Sequence, residues 1–294
     1  MLRFATPLTF AALGGLFSER SGVVNIGLEG MMLGGAFFAV LGADKLGSWG
    51  WGILCAMAAG AGLALIHAFV SIQLRADQIV SGTAINFLAL GVTGYFFIEE
   101  YGQTGTPGDI PRIPDVELPG VRDVAFIGDV IGHLNLMIWA AIAMVIVTYF
   151  VVFKTSIGLR LRSVGEHPRA ADTVGISVYR TRYAAVTVSG MLAALGGAYL
   201  SISFVGSFSE NMTAGRGFIG LAALIFGNWR PFGAFAAALL FGFSTALAYR
   251  LDVYSESVEV LFQALPYVLT LIAVAGVIGR SIPPAASGRP YKKQ

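Results

Sequence analysis

The residues of this chain that could do chemistry are few, and many of the charged ones gather in one short stretch. Residues 158–176 read GLRLRSVGEHPRAADTVGI and place three arginines, one histidine and two acids around Pro168. Only 12% of the chain is charged and 56% is hydrophobic, so such a stretch must lie outside the hydrocarbon if the protein spans a membrane. The chemistry that it offers there is contact with water or with another protein.

The centre of this stretch carries the signals of one short helix. Pro168 fits the first helical position, Asp172 follows within the first turns, and Gly175 is placed to end the helix. A helix of about eight residues is ~12 Å long and is unstable alone in water. It must therefore pack on something. It is either a connector packed on its own bundle or a helix inserted into a groove of a cytoplasmic partner.

Polar side chains within apolar segments form the second group of candidates. Asn25 and Glu29 are four residues apart and are predicted to share one face of a helix over 23–42. Asn86 lies deep in the fourth apolar segment. A carboxylate at the centre of a bilayer costs about 2.5–3.5 kcal/mol and usually faces a cavity or the bundle interior. The alternatives are structural, because Glu29 can reach the interface or pair with Arg20, and Asn86 can join two helices.

If the bundle carries a substrate, two further residues complete the path at its outer end. The ring of Phe204 could stack on another planar ring, and Asn211 can line the entrance. The predicted path consists of Asn25, Glu29, Asn86, Phe204 and Asn211. His67, near the inner end of the third apolar segment, is interpreted as a packed residue rather than a proton relay.

The sequence patterns contain no catalytic motif. No GxxxxGK[ST] motif and no Gly-Lys pair occurs, so the chain is not expected to be an enzyme or to hydrolyse ATP itself. A single cysteine, Cys55, cannot build a disulfide framework or a metal cluster, and we expect the chain to bind no metal and no other cofactor. The net charge of +2 is too small to predict a nucleic-acid partner.

The elements that must position these residues are long apolar segments. Mean hydropathy is +0.74, and at roughly 20 residues per crossing the chain allows about eight to ten spans. A shorter apolar piece at 217–227 either crosses the membrane or re-enters it. The predicted fold class is all-α, a polytopic transmembrane helix bundle with a short cytoplasmic helix. The candidate spans are residues 4–17, 23–42, 49–70, 78–98, 131–153, 183–204, 232–249 and 258–279.

Charge placement orients these spans. Segment 154–182 holds six basic residues and two acids, whereas segment 99–130 holds two basic residues and seven of the 17 acids. By the positive-inside rule the first segment is cytoplasmic and the second lies outside. Residues 1–280 are then one transmembrane domain with an inner loop at 154–182 and an outer loop at 99–130. Residues 281–294 form a basic cytoplasmic tail.

An internal similarity links residues 15–37 with residues 207–229. Both segments run Phe-Ser-Glu and then reach glycine and an apolar piece that contains Gly-Leu. Repeats of this kind are common in transporters, where the transport path lies at the interface between the repeats. Chance similarity in a glycine-rich membrane protein is the alternative.

Four stretches together resemble one family of membrane proteins. GLRLRSVGEHPRAADTVGISVYRTR is similar to the cytoplasmic loop of ABC importer permeases of the branched-chain amino acid, ribose and nucleoside class. ALGGLFSERSGVVNIGLEGMMLGGAF (12–37) resembles the subgroup for nucleosides or simple sugars, which relies on a lipoprotein of the basic membrane protein type. The other two stretches are SGTAINFLALGVTGYF (81–96) and GRGFIGLAALIFGNWRPFGAFAAALLFG (215–242).

The resemblance implies that 154–182 is a coupling loop whose short helix docks on a separate ATPase subunit, which uses ATP and Mg²⁺. Replacing Gly165 with proline or Glu166 with alanine is then expected to uncouple hydrolysis from uptake in a folded protein. The predicted docking surface consists of Gly165, Glu166, His167, Pro168, Arg169, Ala170, Ala171 and Gly175.

The function implied by the resemblance is that of a permease subunit of an ATP-driven importer in the bacterial inner membrane. It would move nucleosides, with simple sugars as the alternative. The implied partners are the ATPase, a second permease in a heterodimer, a substrate-binding lipoprotein and the bilayer, and a homodimer stays open. A secondary transporter driven by ions would need membrane-embedded acids, and Glu29 is the only acid placed deeper than the second position of a span. A membrane scaffold without transport is the remaining alternative.

Overall fold

The computed structural model describes residues 1–102, 105–106, 108–117, 132–251, 264, 268 and 281–293. Within that part of the chain the fold is all-helical apart from one short ribbon, which confirms the predicted fold class. Two helices, Trp49–Ala68 and Val178–Ala198, continue into π-helical turns at Phe69–Gln73 and Tyr199–Val205. The helices are α1 Leu2–Arg20, α2 Leu28–Leu46, α3 Trp49–Ala68, α4 Gln78–Tyr101, α5 Leu136–Lys154, α6 Ser156–Glu166, α7 Pro168–Thr173, α8 Val178–Ala198, α9 Arg216–Phe226 and α10 Pro231–Leu251.

Several helices begin at polar residues whose side chains satisfy the first free backbone N–H groups. The Asp77 carboxylate accepts bonds from the amides of Ile79 and Val80 at the start of α4, at 2.8 and 3.1 Å. The Asn135 side chain accepts the amide of Met137 at the start of α5, at 3.0 Å. Such caps mark where each apolar helix begins.

Within the described residues, five helices are long and apolar enough to cross a membrane, which agrees with a multi-pass protein. The predicted span 258–279 would add another crossing, but only residues 264 and 268 of it are described. The count of eight to ten crossings therefore stays a prediction. The five helical segments are Trp49–Gln73, Gln78–Tyr101, Leu136–Lys154, Val178–Val205 and Pro231–Arg250.

Helix α1 lies in the middle of the bundle. It packs on α8, α9 and α10, and most of its side chains are buried. Glycines allow the helices to approach closely: a Cβ at Gly14 would lie 2.6 Å from the carbonyl oxygen of Ser189 in α8. Gly60 of α3 and Gly190 of α8 face each other in the same way, because a Cβ on either would overlap the carbonyl oxygen of the other. The abundant glycine therefore serves helix packing, as is typical in membranes.

The second predicted span, 23–42, begins later than hydropathy suggests. Helix α2 starts at Leu28, and residues 21–27 form a non-helical segment that includes Gly22 at φ +91°. Asn25 therefore lies before the helix, and the prediction that Asn25 and Glu29 share one helix face is wrong. Hydropathy counts apolar residues and does not detect a backbone turn that other segments stabilise.

The short apolar piece at 217–227 is helix α9, with 11 residues. At 1.5 Å per residue it is roughly 16 Å long, about half the thickness of the hydrocarbon core. It packs on α1 and α10, and its buried residues are Gly217, Gly220, Ala223 and Leu224, while Phe218 is exposed. The helix is therefore too short to cross the hydrocarbon core by itself and is partly enclosed by its neighbours.

The ends of α1 mark the two ends of the bundle. At one end the ring of Phe4 stacks on Tyr249 of α10, with centroids 5.3 Å apart. At the other end the carbonyl oxygen of Arg20 lies against Gly165. The amide of Ala286 in the tail donates to the carbonyl oxygen of Gly165 at 2.9 Å. The tail and the loop 154–182 thus lie at the same end, as a cytoplasmic assignment of both requires.

The predicted outer loop, 99–130, is described in part. Strands β1 Asp115–Glu117 and β2 His133–Asn135 pair antiparallel, and the amide of Ile113 donates to the carbonyl oxygen of Ile202 at 3.1 Å. This part of the loop is therefore ordered against the end of α8, while residues 118–130 lie outside the described residues.

Candidate coupling surface and polar interior

Helix α7 forms where the proline and glycine predict it. Pro168 occupies the first helical position and Gly175, at φ +85°, follows the end. The amides of Ile176 and Gly175 donate to the carbonyl oxygens of Ala171 and Asp172, both at 3.0 Å. These two bonds form a Schellman motif. The helix has six residues rather than the predicted eight because this motif already ends it at Thr173.

One face of α7 is packed and the other is open. Ala171 is 3% exposed and packs against Val164 of α6, Val178 of α8 and Tyr291 of the tail. Six of the eight predicted docking residues are at least partly exposed, and Gly165 and Ala171 are buried supports. Val174, just after the helix, is 74% exposed. Of the predicted docking residues, Pro168 is half-buried and five are exposed: Glu166, His167, Arg169, Ala170 and Gly175. The neighbouring Thr173 and Val174 are also exposed.

Gly165 is a point of close contact between α6 and the turn after α1. A Cβ at this position would overlap the carbonyl oxygen of Arg20 and would lie 3.4 Å from the amide nitrogen of Gly22. Only glycine allows this approach. The expectation that Gly165→Pro leaves the bundle folded is therefore wrong, since any side chain there pushes α6 away from the turn.

A buried arginine that sequence reasoning did not single out joins three segments at this end. Arg182 of α8 is 1% exposed. Its Nε donates to the carbonyl oxygen of Ser21 at 3.1 Å and its Nη1 to that of Arg289 at 3.2 Å. Its Nη2 finds no partner in the described part of the chain. The sequence showed only a cation at the edge of an apolar helix, which is typical of a residue at the interface.

The polar interior is built around the non-helical segment 21–27. The Asn86 amide donates to the carbonyl oxygen of Ile26 at 3.1 Å and accepts the amide of Gly30 at 2.8 Å. Asn25 is fully buried and its Nδ2 donates to the hydroxyl of Ser189 at 2.9 Å. Its Oδ1 is buried and has no partner among the residues described. Among the predicted path residues, Asn25 Oδ1 is the one buried acceptor that has no hydrogen-bond partner within the described residues.

Glu29 holds the start of α9. Its two carboxylate oxygens accept the amides of Gly215 at 2.8 Å and Gly217 at 2.6 Å. A negative charge is favourable at this end of a helix. Neither oxygen is left without a partner, so Glu29 is already occupied with the backbone of another segment.

A second carboxylate lies near the far end of α9. Glu19 of α1 is buried and accepts the indole Nε1–H of Trp229 at 2.6 Å. The neighbouring Arg20 donates through Nη2 to the carbonyl oxygen of Trp229 at 2.7 Å. These contacts join the segments 15–37 and 207–229. The similarity of the two segments was the only feature of the sequence that pointed to the contacts.

The other two predicted path residues lie apart from this interior. Phe204 packs edge-on against Phe4, with centroids 5.4 Å apart, and is 38% exposed. Asn211 is exposed in the turn before α9, at φ +55°. The structure therefore places Asn25, Glu29 and Asn86 in or against the segment 21–30, each bonded to a different partner. Phe204 and Asn211 form no hydrogen bond with these side chains among those described.

His67 is a packed residue, as interpreted from the sequence. Its ring nitrogens lie 2.9 Å from the hydroxyl of Ser81 and 3.1 Å from the carbonyl oxygen of Val24. No group of three His, Cys, Asp or Glu side chains that could hold a metal occurs in the part of the chain described.

A multi-pass helical bundle with a buried polar interior and a short exposed helix at one end has the architecture of a transport permease. The family model described as "Branched-chain amino acid transport system / permease component" matches residues 1–274. The chain belongs to this family. It is a permease subunit and not an enzyme.

Three relatives illustrate what the chain is similar to. It is 45% identical to the guanosine ABC transporter permease protein NupQ of Bacillus subtilis, over 99% of this chain and 95% of the relative. It is 42% identical to the nucleoside ABC transporter permease protein NupC of Lactococcus lactis, over 100% and 95%. A candidate glucose ABC transporter permease of Haloferax volcanii, TsgC13, is 36% identical over 84% and 74%. Bacillus subtilis and Lactococcus lactis each also contain a second, less similar permease relative, at 25% and 26% identity respectively.

Proposed function

We propose that this chain is the membrane-spanning subunit of an importer for nucleosides, driven by a separate ATPase subunit that docks on α7. The observation that carries the proposal is the exposed face of α7, which no described segment of the chain covers. A short helix of this kind is unstable alone. Its packed face is held by α6, α8 and the tail, which leaves the other face free for a partner.

The contacts of α6 offer a route by which motion of α7 reaches the interior. Helix α6 precedes α7 directly and touches Arg20 through Gly165. From Arg20 the turn leads to the non-helical segment and to Glu29, which holds α9. Coupling between two sites requires an element whose conformation both sites can shift. The segment from Glu19 to Glu29 is such a candidate, because it contacts α6 next to α7 and also contacts α9.

The substrate class rests on the relatives. Two relatives above 40% identity are named for guanosine or nucleosides, and the relative named for glucose is less similar. The free Oδ1 of Asn25 supports a polar substrate, because a buried acceptor without a partner is costly unless something donates to it. An ion-driven mechanism has less support, since both buried acids of the described residues, Glu19 and Glu29, hold other segments.

The family implies an ATPase and a substrate-binding protein as partners. We further propose a second permease subunit, because the two bacteria with the nucleoside relatives each hold a second, more distant one. The basic segment 154–182 and the basic tail lie at one end, which supports a cytoplasmic position for that end. Placement in the bacterial inner membrane and a lipoprotein as the binding protein complete the proposal.

Uptake into proteoliposomes tests the function. The complex is assembled from this chain, its cognate ATPase, the second permease and the binding protein, and labelled guanosine is supplied outside with ATP inside. We expect accumulation that requires ATP and that unlabelled nucleosides compete away, while ribose and glucose do not. Uptake of the sugars alone would transfer the assignment to the sugar importers. Uptake that needs an ion gradient and no ATP would contradict the proposal as a whole.

A further inference from the structure

The C-terminal tail is attached to the coupling segment on both sides of α7. Before α7, the amide of Ala285 donates to the Glu166 carboxylate at 3.1 Å, next to the bond between Ala286 and Gly165. After α7, the carbonyl oxygen of Arg289 accepts the buried Arg182 guanidinium. The tail thus runs past α7 and is hydrogen-bonded to residues on either side of that helix.

The tail also supplies part of the surface on which α7 rests. Tyr291 is 7% exposed and packs with Ala171, Val164 and Val178. Its ring meets that of Tyr179 edge-on, with centroids 5.8 Å apart. A six-residue helix gains its stability from such packing rather than from its own backbone. Without the tail, α7 would lose one of the walls that hold its buried face.

A groove of about 550 Å³ opens between α7 and the tail. Its charged lining comprises three cations, Arg169, Arg289 and Lys292, and one carboxylate, that of Glu166. The Glu166 carboxylate already accepts the Ala285 amide. The side chains of Arg289 and Lys292 are exposed and form no ion pair within the described residues. The groove is therefore basic and lies beside the exposed face of α7.

We propose that the tail, residues 281–293, is the second half of the ATPase-docking surface and that its groove with α7 takes an acidic segment of the ATPase subunit. This inference rests on the proposed function. The tail fixes the position of α7 and contributes Arg289 and Lys292 as contacts for carboxylates. Opposite charge favours a partner of this kind and speeds its association.

Binding of the purified cognate ATPase subunit to the purified permease tests the groove. The test variant carries Arg289→Glu and Lys292→Glu, which keep the backbone contacts of the tail. The control variant carries Arg75→Glu and Arg230→Glu, which make the same change in net charge at exposed residues outside both the tail and the groove. Thermal unfolding of each permease checks that the fold is retained.

We expect the test variant to bind the ATPase at least about tenfold more weakly than the wild type and the control to bind within about threefold. Added salt should weaken the wild type more than the test variant. Equal affinity of the two variants would overturn the groove while leaving the α7 proposal standing. If the wild type binds no ATPase, the proposed function itself fails, and the two failures are thus distinguished.

Discussion

At the scale of single residues, three buried or half-buried polar side chains satisfy the backbone of other segments. Asn86 bonds the turn before α2, Glu29 bonds the start of α9, and Arg182 bonds the turn after α1 and the tail. Helix ends inside a bundle leave N–H and C=O groups that no water reaches, so side chains must pair with them. The non-helical segment 21–27 is tolerated for this reason.

Glu29→Ala is expected to lower the free energy of unfolding by about 2–3 kcal/mol, because the amides of Gly215 and Gly217 lose a charged acceptor. Glu29→Gln should cost less, since the amide oxygen can still accept one bond. Thermal unfolding of the purified protein in detergent measures both changes.

The control for this pair is Glu210→Ala, at an exposed position in the turn before α9. A stability loss no larger than that of the control would contradict a capping role. A raised KM for uptake at unchanged stability would instead favour the predicted contact of Glu29 with substrate.

At the scale of elements, α7 is the part of the molecule whose sequence signals and structure agree best. Proline at the start and a Schellman motif at the end define it within ten residues of sequence. Helix α9 is the opposite case, because its ends are held by Glu29 and Glu19 from the segment around α1 and α2. The position of both helices could be predicted from local sequence, but the distant residues that hold the ends of α9 could not.

Ala170→Trp, on the exposed face of α7, is expected to reduce ATP-driven uptake about tenfold or more while changing stability by no more than about 0.5 kcal/mol. The indole would fill space that the ATPase needs, and Ala170 itself is exposed, so the larger side chain can extend into solvent. Uptake by proteoliposomes and thermal unfolding of the same preparation give the two values.

The matched change is Leu159→Trp, at an exposed position of the neighbouring helix α6. Normal uptake by Ala170→Trp would show that α7 is not the docking helix. A parallel loss of uptake and stability would show that Ala170 supports the fold instead.

At the scale of the whole molecule, the docking end, the polar interior and the short helix α9 form one connected structure. The turn after α1 touches α6 through Gly165 and α8 through Arg182. The same turn leads into the segment that holds α9. The residues that form this connection are far apart in sequence, since Arg182 donates hydrogen bonds to both Ser21 and Arg289.

Arg182→Gln is expected to lower the free energy of unfolding by about 1–3 kcal/mol, because the carbonyl oxygens of Ser21 and Arg289 lose their charged donor. The tail should then be cut sooner by chymotrypsin after Tyr291, which is only 7% exposed in the wild type. Thermal unfolding and timed proteolysis with mass spectrometry measure the two effects.

Arg180→Gln provides the comparison, since Arg180 is exposed two residues away. We expect it to change stability by less than about 0.5 kcal/mol. Equal effects of the two substitutions would mean that the buried guanidinium does not hold the three segments together.

Much of the fold could be predicted from the sequence, because its signals are local. Apolar length placed the long helices to within a few residues, and caps such as Asp77 and Asn135 set where two of them begin. The candidate site was harder to predict. Asn25, Glu29 and Asn86 stood out as polar residues in apolar segments, but their partners lie between 6 and 188 positions away in the chain.

The sequence by itself determined that the chain is an all-helical membrane protein with a short proline-started helix, since composition and neighbouring residues decide these features, and its resemblance to known permeases implied the class. Only the tertiary structure decided that α2 begins at Leu28, that Glu29 holds α9 and that the tail lies against α7. The physical reason is that a backbone break inside a bundle is stable only where distant side chains satisfy its polar groups. Hydropathy contains no information about which side chains those are.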